Sequence, residues 1–266
     1  MNALPAGTTI ADHVLLKQVG LGRQGVVFRA QHLPTGTLRA LKLTTARPEE
    51  PSPQPILRLE HPHIVKTWDS GRQAGWDWVA TEWIAGHDLT RYAHRDRLLP
   101  EALAVDVAFK LAQALDHAHR LGITHRDLKP ANVRIHLPLG VVKLLDFDIA
   151  RHADASASVS GVFKGTPAYM APEQLAGAHP SASSDLYALG AVLYELLCGR
   201  RPHEATTLGE LLQRMSRQPA PRLRDTRADL PAALDELLAD LLCADPARRP
   251  SSAQEVAARL QHVLRP

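Results

Sequence analysis

The chain has 266 residues, of which 45% are hydrophobic and 22% charged, and its formal charge is only +3. That length holds one two-lobed domain with a sizeable core, and the composition excludes a disordered or fibrous chain. The small charge excess comes without a basic run interleaved with aromatics, so nucleic acid is not an expected partner. No stretch reaches membrane-spanning length, and the N-terminus lacks a charged-then-apolar leader pattern. The two cysteines, Cys198 and Cys243, fall in separate helix-like apolar segments, and the fourteen histidines show no metal-ligand spacing. Buried free thiols in a reducing cytoplasm are the expectation. Abundant Ala and Arg beside scarce Lys suit a high-GC bacterial source.

The predicted elements begin with strands. His13-Val14-Leu15-Leu16 precedes a Gly-rich turn, Val26 to Ala30 follows it, and Pro34-Thr35-Gly36 turns the chain into Leu38 to Leu43. Residues 46–55 are Pro-rich and polar and read as loop. Two further strand-like segments lie near 64–69 and 76–83. From residue 101 the apolar period becomes helical, over 101–121, 185–198, 207–215, 230–243 and 251–263, with Thr207, Asp229 and Ser251 as expected N-caps. Strands first and helices after predict an α+β arrangement, with the join near Trp83-Ile84-Ala85-Gly86.

Several short strings carry chemistry. His125-Arg126-Asp127-Leu128-Lys129-Pro130-Ala131-Asn132 puts a carboxylate, an ammonium and a carboxamide on one loop. Phosphoryl transfer needs that set: Asp127 to accept the proton of an attacking hydroxyl, Lys129 to neutralise the moving phosphoryl group, and Asn132 to hold a metal ion. Gly20-Leu21-Gly22-Arg23-Gln24-Gly25 is followed by the strand-like run Val26-Val27-Phe28 rather than by a helix. A dinucleotide-binding turn needs a helix there, so a hairpin folded over phosphates is the reading that remains beside a plain hairpin turn. Asp146-Phe147-Asp148 follows the strand Val141 to Leu145, which places a carboxylate at the end of a strand.

These strings, in this order, resemble the motifs of eukaryotic-like (Hanks-type) bacterial serine/threonine protein kinases. The resemblance runs from residue 13 to about 250 and implies a bilobal kinase fold. A small antiparallel-sheet N-lobe (12–84) would precede a larger helical C-lobe (85–264). It implies transfer of the γ-phosphate of ATP to Ser/Thr hydroxyls of protein substrates, with Mg2+, or Mn2+ in its place, as cofactor. Catalytic roles fall to Asp127, Lys129 and Lys42. ATP contacts fall to Gly20, Gly22, Gly25, Val27, Ala40, Lys42, Thr81, Glu82, Trp83, Ile84 and Asn132, and metal ligation to Asn132 and Asp146. Phe147 would pack with His125. Gly165 to Glu173 resembles the end of an activation segment, in which Thr166 would bond Asp127 and Lys129. Ser156, Ser158, Ser160 and Thr166 are candidate phosphosites for autophosphorylation. Glu173 would pair with Arg249, and Asp185 would brace the catalytic loop; these three are structural. An activating partner, or a homodimer through the N-lobe, would supply regulation.

The sequence departs from the pattern in several places. Only nineteen residues separate Lys42 from His61, and Pro51, Pro53 and Pro55 alternate within them. Prolines so placed cannot sit inside a helix, so the helix that usually carries a Glu partner for the strand lysine is reduced or absent. The position of that Glu holds Ser52, leaving Glu49 or Glu50 as substitutes. Asp148 stands where the family has Gly. Arg134, two residues past Asn132, replaces an apolar side chain beneath the adenine; its stem could pack on the ring, with the guanidinium turned to water or stacked on the base. Ala85 stands where a polar residue often meets the ribose. The alternative to an active kinase is a pseudokinase, a nucleotide-binding or scaffolding module.

Overall fold

The computed structural model describes residues 4–22, 25–47, 49, 51–53, 59–147 and 167–264. Contacts divide these residues into two units, one ending at Ala85 and the other starting at Gly86.

The first unit is a six-stranded antiparallel sheet in the order β1-β2-β3-β4-β6-β5. Its strands are β1 (Thr9–Ile10), β2 (His13–Gly22), β3 (Gly25–His32), β4 (Leu38–Thr45), β5 (Thr67–Gln73) and β6 (Trp76–Glu82). Strict alternation in β3 and β4 sends Val26, Phe28, Ala30, Leu41 and Leu43 to one side. There they pack with Ile10, Leu15, Trp78 and Ala80 into the unit's core. Period-two patterning with β-branched and aromatic residues is what a half-buried sheet requires. The sheet is tied across its ends, since the Ala11 N–H at the β1–β2 turn bonds the Gln73 side chain at the end of β5.

The expected strand near 64–69 is displaced. Ile64 and Val65 are buried, but they precede the strand, which starts at Thr67 and runs through Asp69, Ser70 and Gly71. Apolar character there reports burial of a loop, while pairing with β6 makes the strand. Among the described residues between β4 and β5 none is helical. The segment is pinned instead by Ser70, whose hydroxyl donates to the Pro53 carbonyl at 2.8 Å.

The second unit opens with β7 (His87–Asp88), then α1 (Glu101–Arg120), β8 (Val133–His136) and β9 (Val141–Leu144). The three strands form one small sheet in the order β7-β8-β9. Then come α2 (Pro172–Leu175), α3 (Ala182–Cys198), α4 (Leu208–Arg217), α5 (Ala232–Leu241) and α6 (Ala253–Leu264). Every residue of α3 from Ser184 to Cys198 is buried, which makes it the axis of the unit. At Gly190 an added Cβ would stand 2.7 Å from the Leu241 Cβ, so glycine sets how closely α3 and α5 approach. Thr207 caps α4 by accepting the Glu210 N–H. The other two expected caps move. Pro231, not Asp229, precedes α5, and Asp229 pairs with Arg227 instead. At α6 it is Ser252 whose hydroxyl accepts the Glu255 N–H, while Glu255 reaches back to the Ser251 N–H. No described helix is long and apolar enough to cross a membrane.

One buried polar group gives the first unit a pH dependence. His13 is 1% exposed, between His32, Trp78 and Arg39. Burial, then the Arg39 guanidinium and His32, push its pKa down to about 4 against weaker pulls from Asp12 and Asp69. The unfolded chain takes a proton at His13 below about pH 6.5 that the folded chain refuses until about pH 4, so stability falls as pH drops through that window. Thermal melts from pH 7 to 4.5 should show a steeper loss for the wild type than for His13→Gln; parallel curves would assign the acid sensitivity elsewhere.

Candidate active site

The loop between α1 and β8 is built around the Asp185 carboxylate at the start of α3. Asp185 is 2% exposed. Its Oδ2 accepts the His125 N–H at 2.8 Å and the His119 Nε2 at 2.8 Å, and its Oδ1 accepts the Arg126 N–H at 2.9 Å. The two backbone bonds fix the chain where it is least comfortable, because Arg126 has φ 69°. A left-handed conformation costs a residue with a Cβ roughly 1–2 kcal/mol, and such residues persist only when their surroundings over-determine them.

His125 is the second fixed point, fully buried. Its Nε2 donates to the Leu145 carbonyl at 2.8 Å, and its Nδ1 accepts the Asp127 N–H at 3.3 Å. That pattern assigns the Nε2–H tautomer. The ring also meets the Phe147 ring edge-on, with centroids 4.8 Å apart. The Leu145 N–H in turn donates to the Asn132 carbonyl at 2.8 Å. His125 therefore connects the loop that carries Asp127 to the turn that carries Asp146. Asp146 has φ 55°, a second non-glycine residue in the left-handed region, and its carboxylate is exposed.

Between these points three side chains converge. The Lys129 Nζ donates to the Asp127 Oδ2 at 2.6 Å. The Asn132 Nδ2 donates to the Asp127 backbone carbonyl at 2.8 Å and to its Oδ2 at 3.1 Å. Asp127 thus has one oxygen engaged twice by neighbours. Asn132 uses its amide nitrogen on the loop, and its Oδ1 is a hard oxygen donor. An amide oxygen and a carboxylate suit a small divalent cation such as Mg2+. The donors present fit that ion.

The predicted nucleotide contacts of the first unit share one face. Val27 pairs directly with Lys42, and Ala40 directly with Thr81. Directly opposed residues lie on one side of a sheet, so these four occupy the side opposite Leu41 and Leu43. Gly20 pairs with Val27 and Gly22 with Gly25 across the β2–β3 hairpin, whose tip residues Arg23 and Gln24 lie outside the described residues. The three glycines differ. Gly25 has φ 127°, and a Cβ there would collide with the Leu43 carbonyl, whereas at Gly22 a Cβ would meet open space. Glu82 ends β6, and its Oε1 accepts the Lys66 N–H at 2.8 Å; Trp83 and Ile84 follow in irregular chain.

The structural pair is a bidentate ion pair. The Arg249 Nη1 and Nη2 donate to the two Glu173 oxygens, each at 2.8 Å. The same guanidinium donates to the carbonyls of Cys243 and Ser183 and lies over the Tyr187 ring. Burial pushes the Glu173 carboxyl up, but the Arg249 and Ser184 hydrogen bonds more than reverse it and hold it below the ordinary range. Ser156, Ser158, Ser160, Thr166, Glu50 and Asp148 lie outside the described residues.

Two contacts were not legible from motifs. His119 sits in the last turn of α1, sixty-six residues from the carboxylate it bonds, with no local pattern to mark it. The Tyr169 hydroxyl donates to the buried Glu195 at 2.6 Å, and burial raises the pKa of both groups.

The family model for the protein kinase domain matches residues 13–262. The chain is 34% identical to the serine/threonine-protein kinase pkn3 of Myxococcus xanthus, over 97% of this chain and 51% of that protein. It is 32% identical to the serine/threonine-protein kinase PknK of Mycobacterium tuberculosis, over 98% of this chain and 24% of that one. It is 35% identical to the DNA damage-responsive serine/threonine-protein kinase RqkA of Deinococcus radiodurans, over 96% and 40%. The chain spans about half the length of the first of these relatives and less of the others.

The loop geometry predicts a large effect at Asp185. Asp185→Asn keeps the shape but puts an amide N–H against donors from His125, Arg126 and His119. Hydrogen bonds to a charged acceptor contribute roughly 1.5–3 kcal/mol each and do not add fully, so a loss of about 3 kcal/mol is expected by urea titration. A loss below 0.5 kcal/mol would mean that the loop holds its shape without this carboxylate.

Proposed function

This chain belongs to the protein kinase family, and from that premise we propose that it transfers the γ-phosphate of ATP to serine and threonine hydroxyls of protein substrates, its own among them. The observation that carries the reading is the convergence of Asp127, Lys129 and Asn132 on a loop tied to the Asp146 turn. Relatives named as serine/threonine-protein kinases support the acceptor class.

Asp127 acts as the base. Its Oδ2 is engaged by Lys129 and Asn132, while no described residue bonds its Oδ1. That oxygen accepts the proton of the acceptor hydroxyl as the hydroxyl oxygen bonds to the γ-phosphorus and the bond to the β–γ bridging oxygen breaks, releasing ADP. Lys129 orients the carboxylate and offsets charge on the phosphoryl group. Asn132 and Asp146 hold the divalent cation, which when bound neutralises charge on the β- and γ-phosphates. Taken by itself, the first unit gathers Lys42, Val27, Ala40 and Thr81 on one sheet face, a set suited to the phosphates and base of a nucleotide. The glycines of the β2–β3 hairpin let main chain approach the phosphates. Chemistry of this kind rests on positioning and electrostatics more than on covalent steps.

Asp127→Asn removes the proton acceptor and keeps the shape of the loop. Transfer of radiolabelled phosphate to a generic basic protein should fall by two orders of magnitude or more, while MgATP binding by calorimetry stays within about threefold. Equal label incorporation by both proteins would end the assignment of the base. Incubation of the wild type with MgATP should add one or more phosphates by intact mass, and phosphopeptide mapping should locate them among Ser156, Ser158, Ser160 and Thr166. An unchanged mass would refute self-modification.

A further inference from the structure

Strand β2 carries a bulge that changes which side chain faces β3. Leu15 pairs with Ala30 and Lys17 with Arg29, so the register shifts by one residue between them. An unbroken ladder would set Leu16 against Arg29 and send Lys17 to the buried side with Phe28. The bulge instead aligns two cations directly across the strand pair. Arg29 alternates with the buried Phe28 and Ala30, so both cations lie on the face that carries Val27 and Ala40. Like charges opposed in this way repel each other. Neither β2 nor β3 contains an acid that would relieve them. On β4 and β6 the same face has one acid, Asp77, and Arg72 engages both of its oxygens. Among the described residues no hydrogen bond or ion pair reaches Lys17 or Arg29, and the Arg29 Nε is buried without an acceptor. A guanidinium partly withdrawn from water beside a second cation costs stability unless an anion joins them.

We propose that Lys17 and Arg29 form a seat for a phosphate monoester dianion. The planar fork of an arginine takes two oxygens of such a group, and the ammonium of a lysine meets a third as a point charge. A carboxylate carries one charge and would leave half of the pair unmatched. Arg29 lies two residues past Val27, roughly 7 Å along the strand and away from the Gly-rich hairpin. The seat therefore stands one row away from Lys42, which pairs with Val27 and suits the phosphates of a nucleotide. Two sources supply this chemistry: a phosphoserine or phosphothreonine that the chain makes on itself, and a free phosphomonoester. The seat is independent of the kinase reading, and only the first source rests on it.

Titration of the phosphatase-treated chain with methyl phosphate tests the seat, followed by NMR at the Lys17 and Arg29 backbone amides and the Arg29 Nε–H. At neutral pH, above the second ionisation of the probe at about pH 6, these signals should move together and saturate. Charge-assisted bonds of this kind are strong enough that Arg29→Gln and Lys17→Gln should each weaken the probe at least about fivefold. MgATP affinity should stay within about twofold in both variants, which also shows that they fold. Methyl sulfate, of the same shape with a single charge, should bind the wild type at least about threefold more weakly. Unmoved signals, or undiminished probe binding in both variants, overturn the proposal. Equal affinity for methyl sulfate or acetate overturns it in favour of an acidic partner. A loss of MgATP affinity as large as that of the probe overturns it in favour of a nucleotide contact. Signals that move with methyl phosphate in a chain that binds no MgATP uphold the seat and bring down the kinase reading alone. The self-phosphorylated chain separates the sources. Weaker probe binding than in the phosphatase-treated chain, with the Arg29 signals already displaced, assigns the seat to the chain's own phosphate, and equal binding assigns it to a free phosphomonoester.

Discussion

A single buried carboxylate decides the shape of the loop on which this site depends. Asp185 enters from the first turn of a helix that is buried along its length, so it cannot move without the core of its unit. Its acceptors are met by two consecutive backbone N–H groups and one imidazole. Consecutive amides can point at one carboxylate only if the chain turns sharply between them, and Arg126 supplies that turn at φ 69°. The strain in the loop is therefore the counterpart of the helix's rigidity. Once Arg126 is fixed, His125 points inward to the Leu145 carbonyl and Asp127 outward, so one constraint orients both the buried and the exposed members of the motif.

The same economy governs the turn at Asp146. It is set by the carbonyl of Leu145, which receives His125, and by the N–H of Leu145, which goes to Asn132. The two residues whose oxygens suit a divalent cation are thus coupled through Leu145, which bonds Asn132 through its N–H and precedes Asp146 in the chain. Rigid placement of ligands by packed neighbours is what keeps such a site ready without reorganisation. In the other unit the work is divided by the pleat: alternate residues of β3 and β4 fill the core, and those between them form the face that carries Val27, Ala40 and Lys42.

Much of this was legible in the chain because local rules and global fold agree. Helix α1 and strands β3 and β4 follow their periods closely, and Thr207 caps where a threonine should. The motif residues Asp127, Lys129 and Asn132 lie within one short loop, so their meeting follows from sequence distance alone. What escaped is long-range or polar. The strand β5 contains Asp69, Ser70 and Gly71 and becomes a strand only by pairing with β6, which no propensity reports. Asp229 and Ser251 have the right chemistry for caps, but each is claimed by a nearer ion pair or hydrogen bond. His119 and Glu195 are polar groups inside helices, and only tertiary structure reveals what they bond.

The Glu173–Arg249 pair has a consequence for the order in which the protein can be made. The two partners are separated by seventy-six residues, and the guanidinium also collects the carbonyls of Ser183 and Cys243. On the ribosome, Glu173 emerges long before its cation does. Until then the carboxylate has the Ser184 hydroxyl, but not its cation, to bond. The Glu173–Arg249 bonds therefore close only after most of the larger unit has been made.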